Sequence, residues 1–165
     1  MSNTIRSLAK ARERQQAKAG EIPVTLGTLV SCATAQPPNV SALGMLLGQR
    51  DIPIKQSFLI GKIAKAVFAE IESYQESHKT LAEKYANKGS DGKAIILNAE
   101  GKPIAEGEQG RYDIPKDKLP AFESEHQDLL ATEVSIPGQK INVNELHGAK
   151  MAPAYLMAIE WMIAE

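Results

Sequence analysis

The chain has 165 residues and a mass of 17.9 kDa, and 43% of its residues are hydrophobic. This length suits one domain with or without a tail, and it is enough to bury a hydrophobic core. No apolar run approaches the roughly 18 to 20 residues that cross a bilayer, so we expect no transmembrane segment. The first residues lack the apolar core of a signal peptide, which argues against secretion. The only cysteine, Cys32, excludes an internal disulfide and a thiolate zinc cage.

The net charge of −1 hides an asymmetry along the chain. Residues 1–65 carry nine Lys or Arg against three acidic residues, a net charge of +6. Residues 66–165 carry ten against seventeen, a net charge of −7. The basic first part and the acidic remainder are therefore electrostatically complementary.

Residues 1–21 are predicted to form a basic N-terminal arm. Residues 5–19 are strong helix formers but include only two large aliphatic residues, Ile5 and Leu8. Such a segment cannot bury an apolar face, so we expect a frayed helix or a disordered arm. It either is a solvated tail or contacts an acidic protein surface, nucleic acid or its own acidic half. Its candidate partner-binding residues are Arg6, Lys10, Arg12, Arg14 and Lys18.

The arm is followed by a predicted linker at residues 21–23 and by two short helices, at residues 24–35 and 41–49. Asp51 is a candidate cap for a long helix that is predicted from Ile54 to about Asn87. A helix of about 33 residues is about 50 Å long. A compact chain of this size has a radius of gyration of only about 15 Å, so it does not enclose such a helix. We therefore expect an elongated or oligomeric molecule.

The long helix carries an apolar seam whose members are three or four residues apart. This spacing is typical of packing between two helices. The seam consists of Leu59, Ile63, Val67, Ile71, Tyr74, His78, Leu81 and Tyr85.

A β-hairpin insertion is predicted at about residues 93–113, with a strand at 93–98 and a weaker return strand within 102–113. A helix over about 117–132 has a length that suits an antiparallel return along the distal half of the long helix. The sequence thus predicts a mainly α fold for residues 22–165. We expect a single domain built on a long helical hairpin, with short packed helices and a minor α+β component.

The C-terminal region is predicted to contain an extended piece at 133–137, a strand or tight turn at 141–146, and a final helix from Pro153. Leu156, Ile159, Met162 and Ile163 share the core side of that helix. Trp161 falls off this side and is therefore a candidate interface residue.

A search for catalytic chemistry finds no phosphate-binding loop, nucleophile elbow or metalloprotease motif. His78 and His126 meet if the two long helices pair antiparallel, with Glu125 or Asp128 nearby. Such a pair is either a pH-sensitive or metal-capable site or two ordinary packed histidines. We expect no catalytic, cofactor-binding or metal-binding residues, no cofactor and no enzymatic activity.

Several segments resemble a family of small tailed-bacteriophage proteins of unknown function. They are IPVTLGTLV at residues 22–30, IPIKQSFLIGKIAKAV at 52–67, LAEKY at 81–85 and MAPAYLMAIEWM at 151–162. The resemblance covers residues 22–165. It implies a phage accessory protein without assigned catalytic residues.

Three functions are open at this point. The leading hypothesis is a non-enzymatic phage structural or assembly protein, found in the host-cell cytoplasm or the virion, which contacts copies of itself or other phage proteins. The alternative is a phage-encoded inhibitor or regulator of a host protein. The third is a DNA-binding accessory protein that uses the arm, although the pI of about 6.3 and the lack of aromatic residues among the basic ones argue against it. We expect no membrane partner.

Overall fold

The computed structural model describes residues 20–35, 40–104, 110–146 and 148–164. Helices make up about 53% of these residues and the strands are short, so the fold is mainly α. The chain divides into two compact units. Unit 1 contains the residues up to Ile71 and those from Thr132 onwards, and unit 2 contains Glu72–Ala131. Residues 1–19 of the predicted basic arm lie outside the described residues.

Two short helices precede the long helix, and the starts of both short helices follow ordinary capping rules. The side chain of Thr25 accepts a hydrogen bond from the Thr28 amide, and that of Ser41 from the Gly44 amide. The α-helices are α1 Leu26–Ala33, α2 Ala42–Leu47, α3 Ile54–Tyr85, α4 Leu119–Leu130 and α5 Pro153–Ala158, and 3-10 helices cover Val143–Leu146 and Glu160–Met162.

The strands form three small sheets, one of two antiparallel strands, one of three, and one of two parallel strands. The strands are β1 Glu21–Thr25, β2 Ile96–Leu97, β3 Pro103–Ile104, β4 Arg111–Tyr112, β5 Glu133–Pro137, β6 Ile141–Asn142 and β7 Ile163–Ala164. β1 pairs with β5, β2 lies between β3 and β4, and β6 pairs with β7.

The prediction of a linker at residues 21–23 is wrong, because these residues belong to β1. Ile22 lies opposite Ile136 of β5, and both side chains are buried. Pro23 lies opposite Ser135 and is tolerated because this sheet has only two strands, so each strand is an edge. The amide of Gly138 donates to the carbonyl of Gly20 at 2.7 Å and closes the ladder.

Unit 1 has a core of buried aliphatic side chains that come from several of its helices and strands. α1, α2, the first part of α3 and β1 surround side chains from the C-terminal residues. The largest fully buried side chains are Ile22, Leu29, Leu43, Leu46, Ile60, Ile63, Val67, Ile136, Ile141, Ile159 and Met162. Burial of this many aliphatic side chains is the main stabilising contribution to the unit.

The C-terminal segment departs from its prediction. The helix that starts at Pro153 ends at Ala158, and a 3-10 turn and β7 replace its continuation. Ile163 pairs with Ile141 in a parallel bridge, which a continuous helix could not form. Leu156, predicted to face the core, is 39% exposed, whereas Ile159 and Met162 are fully buried.

Unit 2 contains the second part of α3, the three-stranded sheet and α4. The sheet falls within the predicted insertion, but the chain returns to β2 twice rather than once. Asn87 and Asp113 join the end of α3 to the sheet through a backbone hydrogen bond of 2.8 Å and a side-chain hydrogen bond of 2.8 Å.

Candidate interaction surface

The first part of α3 has two apolar faces on opposite sides of the helix. The inner face packs into the core of unit 1 through Ile60, Ile63, Ala64 and Val67, all of them buried. The opposite side would be polar in a helix that packs only once. In this helix it is instead lined by exposed apolar side chains.

We call the exposed side of this segment the outer face of α3, and it consists of Ile54, Phe58, Gly61, Lys65 and Phe68. These residues are spaced by four, three, four and three positions, so they share one side of the helix. The exposed fraction is 89% for Ile54, 67% for Phe58 and 48% for Phe68. Two of the three phenylalanines of the chain are thus placed in solvent on one helix face.

The charged residues of α3 from Ile54 to Phe68 are all lysines. Lys55, Lys62 and Lys65 lie on or beside the outer face, and no acidic residue occurs between Asp51 and Glu70. The Lys62 Nζ lies 4.8 Å from the centroid of the Phe58 ring, a cation–π contact that keeps the ammonium group beside the apolar stripe. Within the described ranges, no carboxylate forms an ion pair with any of these three lysines.

The residues of the predicted seam lie on the other side of α3. In unit 1, Ile63 and Val67 are fully buried, while Leu59 and Ile71 are half-buried. In unit 2, the seam residues are all half-buried, and the buried residues there are Ala82 of α3 and Ala86, which follows the helix. The seam residues of unit 2 are Tyr74, His78, Leu81 and Tyr85.

The two histidines that the sequence analysis singled out come together in unit 2. The ring centroids of His78 and His126 are 4.8 Å apart, and the Tyr74 hydroxyl shares a 2.8 Å hydrogen bond with Nε2 of His126. Phe122 stacks on the His126 ring at 5.8 Å and meets the His78 ring edge-on at 6.0 Å. We call these four residues the histidine cluster.

Burial and charge affect the titration of the histidine cluster. Burial lowers the pKa of His78, and the positive charge that His126 acquires on protonation lowers it further. Burial also raises the pKa of the Tyr74 phenol. Both shifts favour the uncharged forms of His78 and Tyr74, as expected for side chains packed between α3 and α4.

A second contact between α3 and α4 within unit 2 is ionic. The Lys84 ammonium donates to both carboxylate oxygens of Glu125, at 2.7 and 2.8 Å, and the Tyr85 hydroxyl donates to Oε1 at 2.7 Å. The hydrogen bond from Lys84 and then that from Tyr85 lower the pKa of Glu125. Because the groups are solvent-exposed, this contact orients the helices more than it stabilises them.

Trp161, the candidate interface residue, is half-buried, and its indole Nε1 is buried without a hydrogen-bond acceptor among the described residues. The indole N–H nevertheless lies close enough to the sulfur of Cys32 to lower the pKa of that thiol, against the larger effect of burial. The exposed apolar side chains nearby in sequence are instead Leu156 and Met157 of α5, with Met157 70% exposed.

Unit 2 also has an open groove of about 840 Å³ between the end of α3 and the sheet. Its charged groups are already engaged: Lys79 lies 3.9 Å from Glu83, and Lys88 donates to the Glu83 carbonyl at 2.6 Å. The groove combines these groups with apolar side chains such as Ile96 and Ile104. Three lysines and two carboxylates line the groove, so its net charge is small and it favours no class of ligand.

The described ranges contain neither a candidate metal site nor a candidate membrane-spanning helix. No group of three or more His, Cys, Asp or Glu side chains there is placed to hold a metal ion. None of the helices in these ranges is both long and apolar enough to cross a membrane. Comparisons of the chain with protein-family models, curated proteins and solved structures found no match. The five basic residues of the arm, Arg6, Lys10, Arg12, Arg14 and Lys18, lie outside the described ranges.

The outer face of α3 was not predicted, although the residue spacing that identifies it is present in the sequence. The same spacing of three and four residues that selected the seam also joins Ile54, Phe58, Gly61, Lys65 and Phe68. A helix with apolar residues on both sides has two surfaces to cover, and the described residues cover only the inner one.

Proposed function

We propose that this protein is a non-enzymatic structural or assembly protein of a tailed bacteriophage that acts through protein–protein contacts. The observation that carries the proposal is the outer face of α3, where Ile54, Phe58 and Phe68 are exposed to water. Covering a phenylalanine side chain contributes about 1.5 to 3 kcal/mol, so such a face favours association. The resemblance of residues 22–165 to a phage family supplies the biological setting.

The proposal includes the arrangement of the two helices in unit 2. We propose that the second part of α3 and α4 form a helical hairpin. Its support is the set of contacts between the two helices in unit 2, which join Tyr74 to His126 and Lys84 to Glu125. Their order is antiparallel, because later residues of α3 meet earlier residues of α4. In this proposal the protein occurs in the host-cell cytoplasm or the virion, as an oligomer or bound to other phage proteins.

A phage-encoded regulator of a host protein is the second candidate function. It is favoured by α4, which exposes Glu123 and carries no lysine or arginine. A helix with this composition is suited to a basic surface on another protein. In this function the chain binds a host enzyme rather than capsid or tail proteins.

The test is the association state of the full chain together with its partners during infection. We expect sedimentation velocity to give a mass above the 17.9 kDa of one chain, or an affinity-tagged chain to co-purify with capsid or tail proteins. Phe58→Ser should weaken that association. Met157→Ser is the matched control, because it removes an equally exposed apolar side chain outside the outer face of α3.

A chain that stays monomeric at high concentration and is absent from purified particles by mass spectrometry would refute the proposal. Recovery of a stoichiometric host enzyme would instead establish the second candidate function. Association that Phe58→Ser and Met157→Ser reduce equally would show that the outer face of α3 does not mediate the contact.

A further inference from the structure

We infer that the outer face of α3 binds an acidic amphipathic helix of another protein. The inference rests on the proposed function, because it names the chemistry of the partner for the same surface. It follows from three properties of this face: its apolar anchors, its uncompensated positive charge and its central glycine.

The anchors have the spacing by which one helix recognises another. Ile54 and Phe58 are one turn apart, and Phe68 lies on the same side about three turns after Phe58. An apolar stripe of this kind is covered by the apolar side of a second helix, with contacts repeated at each turn. The inner side of α3 is already packed into the core of unit 1, so only the outer face is available to this partner among the described residues.

The charges specify what flanks the stripe of the partner. Lys55 and Lys62 lie to one side of the anchors, and Lys65 lies between Gly61 and Phe68. A partner with carboxylates beside its apolar side chains would pair with these ammonium groups, and a partner with basic flanks would be repelled. The face therefore selects an acidic helix by charge as well as by apolar contact.

Gly61 lies at the centre of the face, in the interior of a helix. A Cβ atom added there would meet nothing within 4 Å. Glycine at such a position destabilises a helix by about 0.5 to 1 kcal/mol relative to alanine, and no contact in the described structure requires it. A partner backbone can approach α3 closely at Gly61, because glycine has no side chain and the apolar anchors lie on either side of this position.

Two other occupants fit the face less well. A second copy presenting its own outer face would bring the same lysines, Lys55, Lys62 and Lys65, towards each other, since a two-fold contact uses one patch twice. A lipid surface requires a continuous apolar side, whereas Lys65 interrupts this one between Gly61 and Phe68.

The test uses the full chain and two synthetic amphipathic helical peptides with the same leucine stripe, one flanked by glutamates and one by lysines. Fluorescence anisotropy should show binding of the acidic peptide only, weakening as salt is raised. Phe58→Ser should weaken binding by about tenfold or more, while Met157→Ser leaves it unchanged. Combined Lys55→Glu, Lys62→Glu and Lys65→Glu should transfer the preference to the basic peptide. Gly61→Ala should weaken binding while raising the melting temperature of the protein.

Binding of both peptides alike, or of neither, would overturn the inference. So would binding to vesicles of phosphatidylserine and phosphatidylcholine that depends on Phe58, or self-association that Phe58→Ser abolishes and the acidic peptide does not compete. Failure here is distinguishable from failure of the proposed function. A chain that co-purifies with virion proteins but ignores the acidic peptide refutes only the inference, and the reverse result refutes only the proposed function.

Discussion

The imidazole rings of His78 and His126 lie 4.8 Å apart, one on α3 and one on α4 of the same unit. Protonation of both rings would place two positive charges in contact where Phe122 and Tyr74 otherwise pack against them. The two helices are therefore joined by a contact that favours neutral histidine. Its titration is separate from that of Glu125, whose carboxylate pairs with Lys84 beside the cluster.

Unit 2 should lose stability as the pH falls below 6.5. The pKa of His78 is lowered from 6.5 in the folded chain, so the unfolded chain binds more protons just below that value. The stability is fully retained above pH 6.5 and falls as the pH approaches the lower folded pKa. Glu125 behaves differently, since its pKa is lowered from 4.5 and its contribution is lost only as the pH falls below 4.5.

Thermal unfolding followed by circular dichroism between pH 7.5 and 5.5 checks this prediction, with His78→Gln as the variant. We expect the melting temperature of the native chain to fall more over this range than that of His78→Gln. NMR titration of the His78 ring should give a pKa below 6.5. An equal fall in both chains, or a pKa at or above that value, would contradict the prediction.

Two glycine-to-alanine substitutions should have opposite effects on stability. Gly61→Ala adds a methyl group to open space in a helix interior and should stabilise by about 0.5 to 1 kcal/mol. Gly148→Ala places its Cβ against the carbonyl group of Asp51, which is backbone and cannot rotate away. It should destabilise by about 1 to 3 kcal/mol. Urea unfolding of both variants measures the pair, and a loss of stability in Gly61→Ala would show that this helix is strained or already covered.

Local pattern and distant pairing explain which parts of the fold were predictable. The start of α3 at Ile54 follows from an unbroken helical pattern after Pro53, and Ser41 marks the start of α2 in the same local way. β1 was missed because its partner β5 lies more than a hundred residues later and Pro23 argues against a strand. A local sequence pattern does not reveal this pairing, because the pairing depends on the assembled core.

The same distinction applies to the candidate sites. The meeting of His78 and His126 was foreseeable from helix spacing, since it needs only an antiparallel return. The C-terminal segment was not, because its spacing of apolar residues fits a helix while Ile163 gains its backbone partner from Ile141. The outer face of α3 was recognisable only when Ile60, Ile63 and Val67 were seen to occupy the core, leaving Phe58 and Phe68 in solvent.

Truncation of Ile136 should destabilise unit 1 strongly. Ile136 is fully buried and lies opposite Ile22, so Ile136→Ala leaves a cavity at the centre of the β1–β5 pair. We expect a loss of about 2 to 5 kcal/mol in the free energy of unfolding. Ser135→Ala, at the exposed neighbouring position, should change it by no more than about 0.5 kcal/mol. The only tryptophan, Trp161, lies in unit 1 and reports its urea unfolding by fluorescence. Equal losses in the two variants would show that the ladder is not packed as described.

The thiol of Cys32 should be unreactive until unit 1 unfolds. Burial raises its pKa from 9.0 to about 11, an effect that the indole of Trp161 only partly opposes. At pH 8 the thiolate fraction is then on the order of 100-fold smaller than in the unfolded chain, and burial also blocks access to the sulfur. Iodoacetamide should therefore modify Cys32 slowly in the native protein and rapidly in urea, as measured by intact-mass spectrometry.

Ile136→Ala should accelerate labelling under native conditions, because it raises the population of unfolded unit 1, and Ser135→Ala should not. Rapid labelling of the native chain would show that α1 opens independently of the core formed around Leu29 and Ile136.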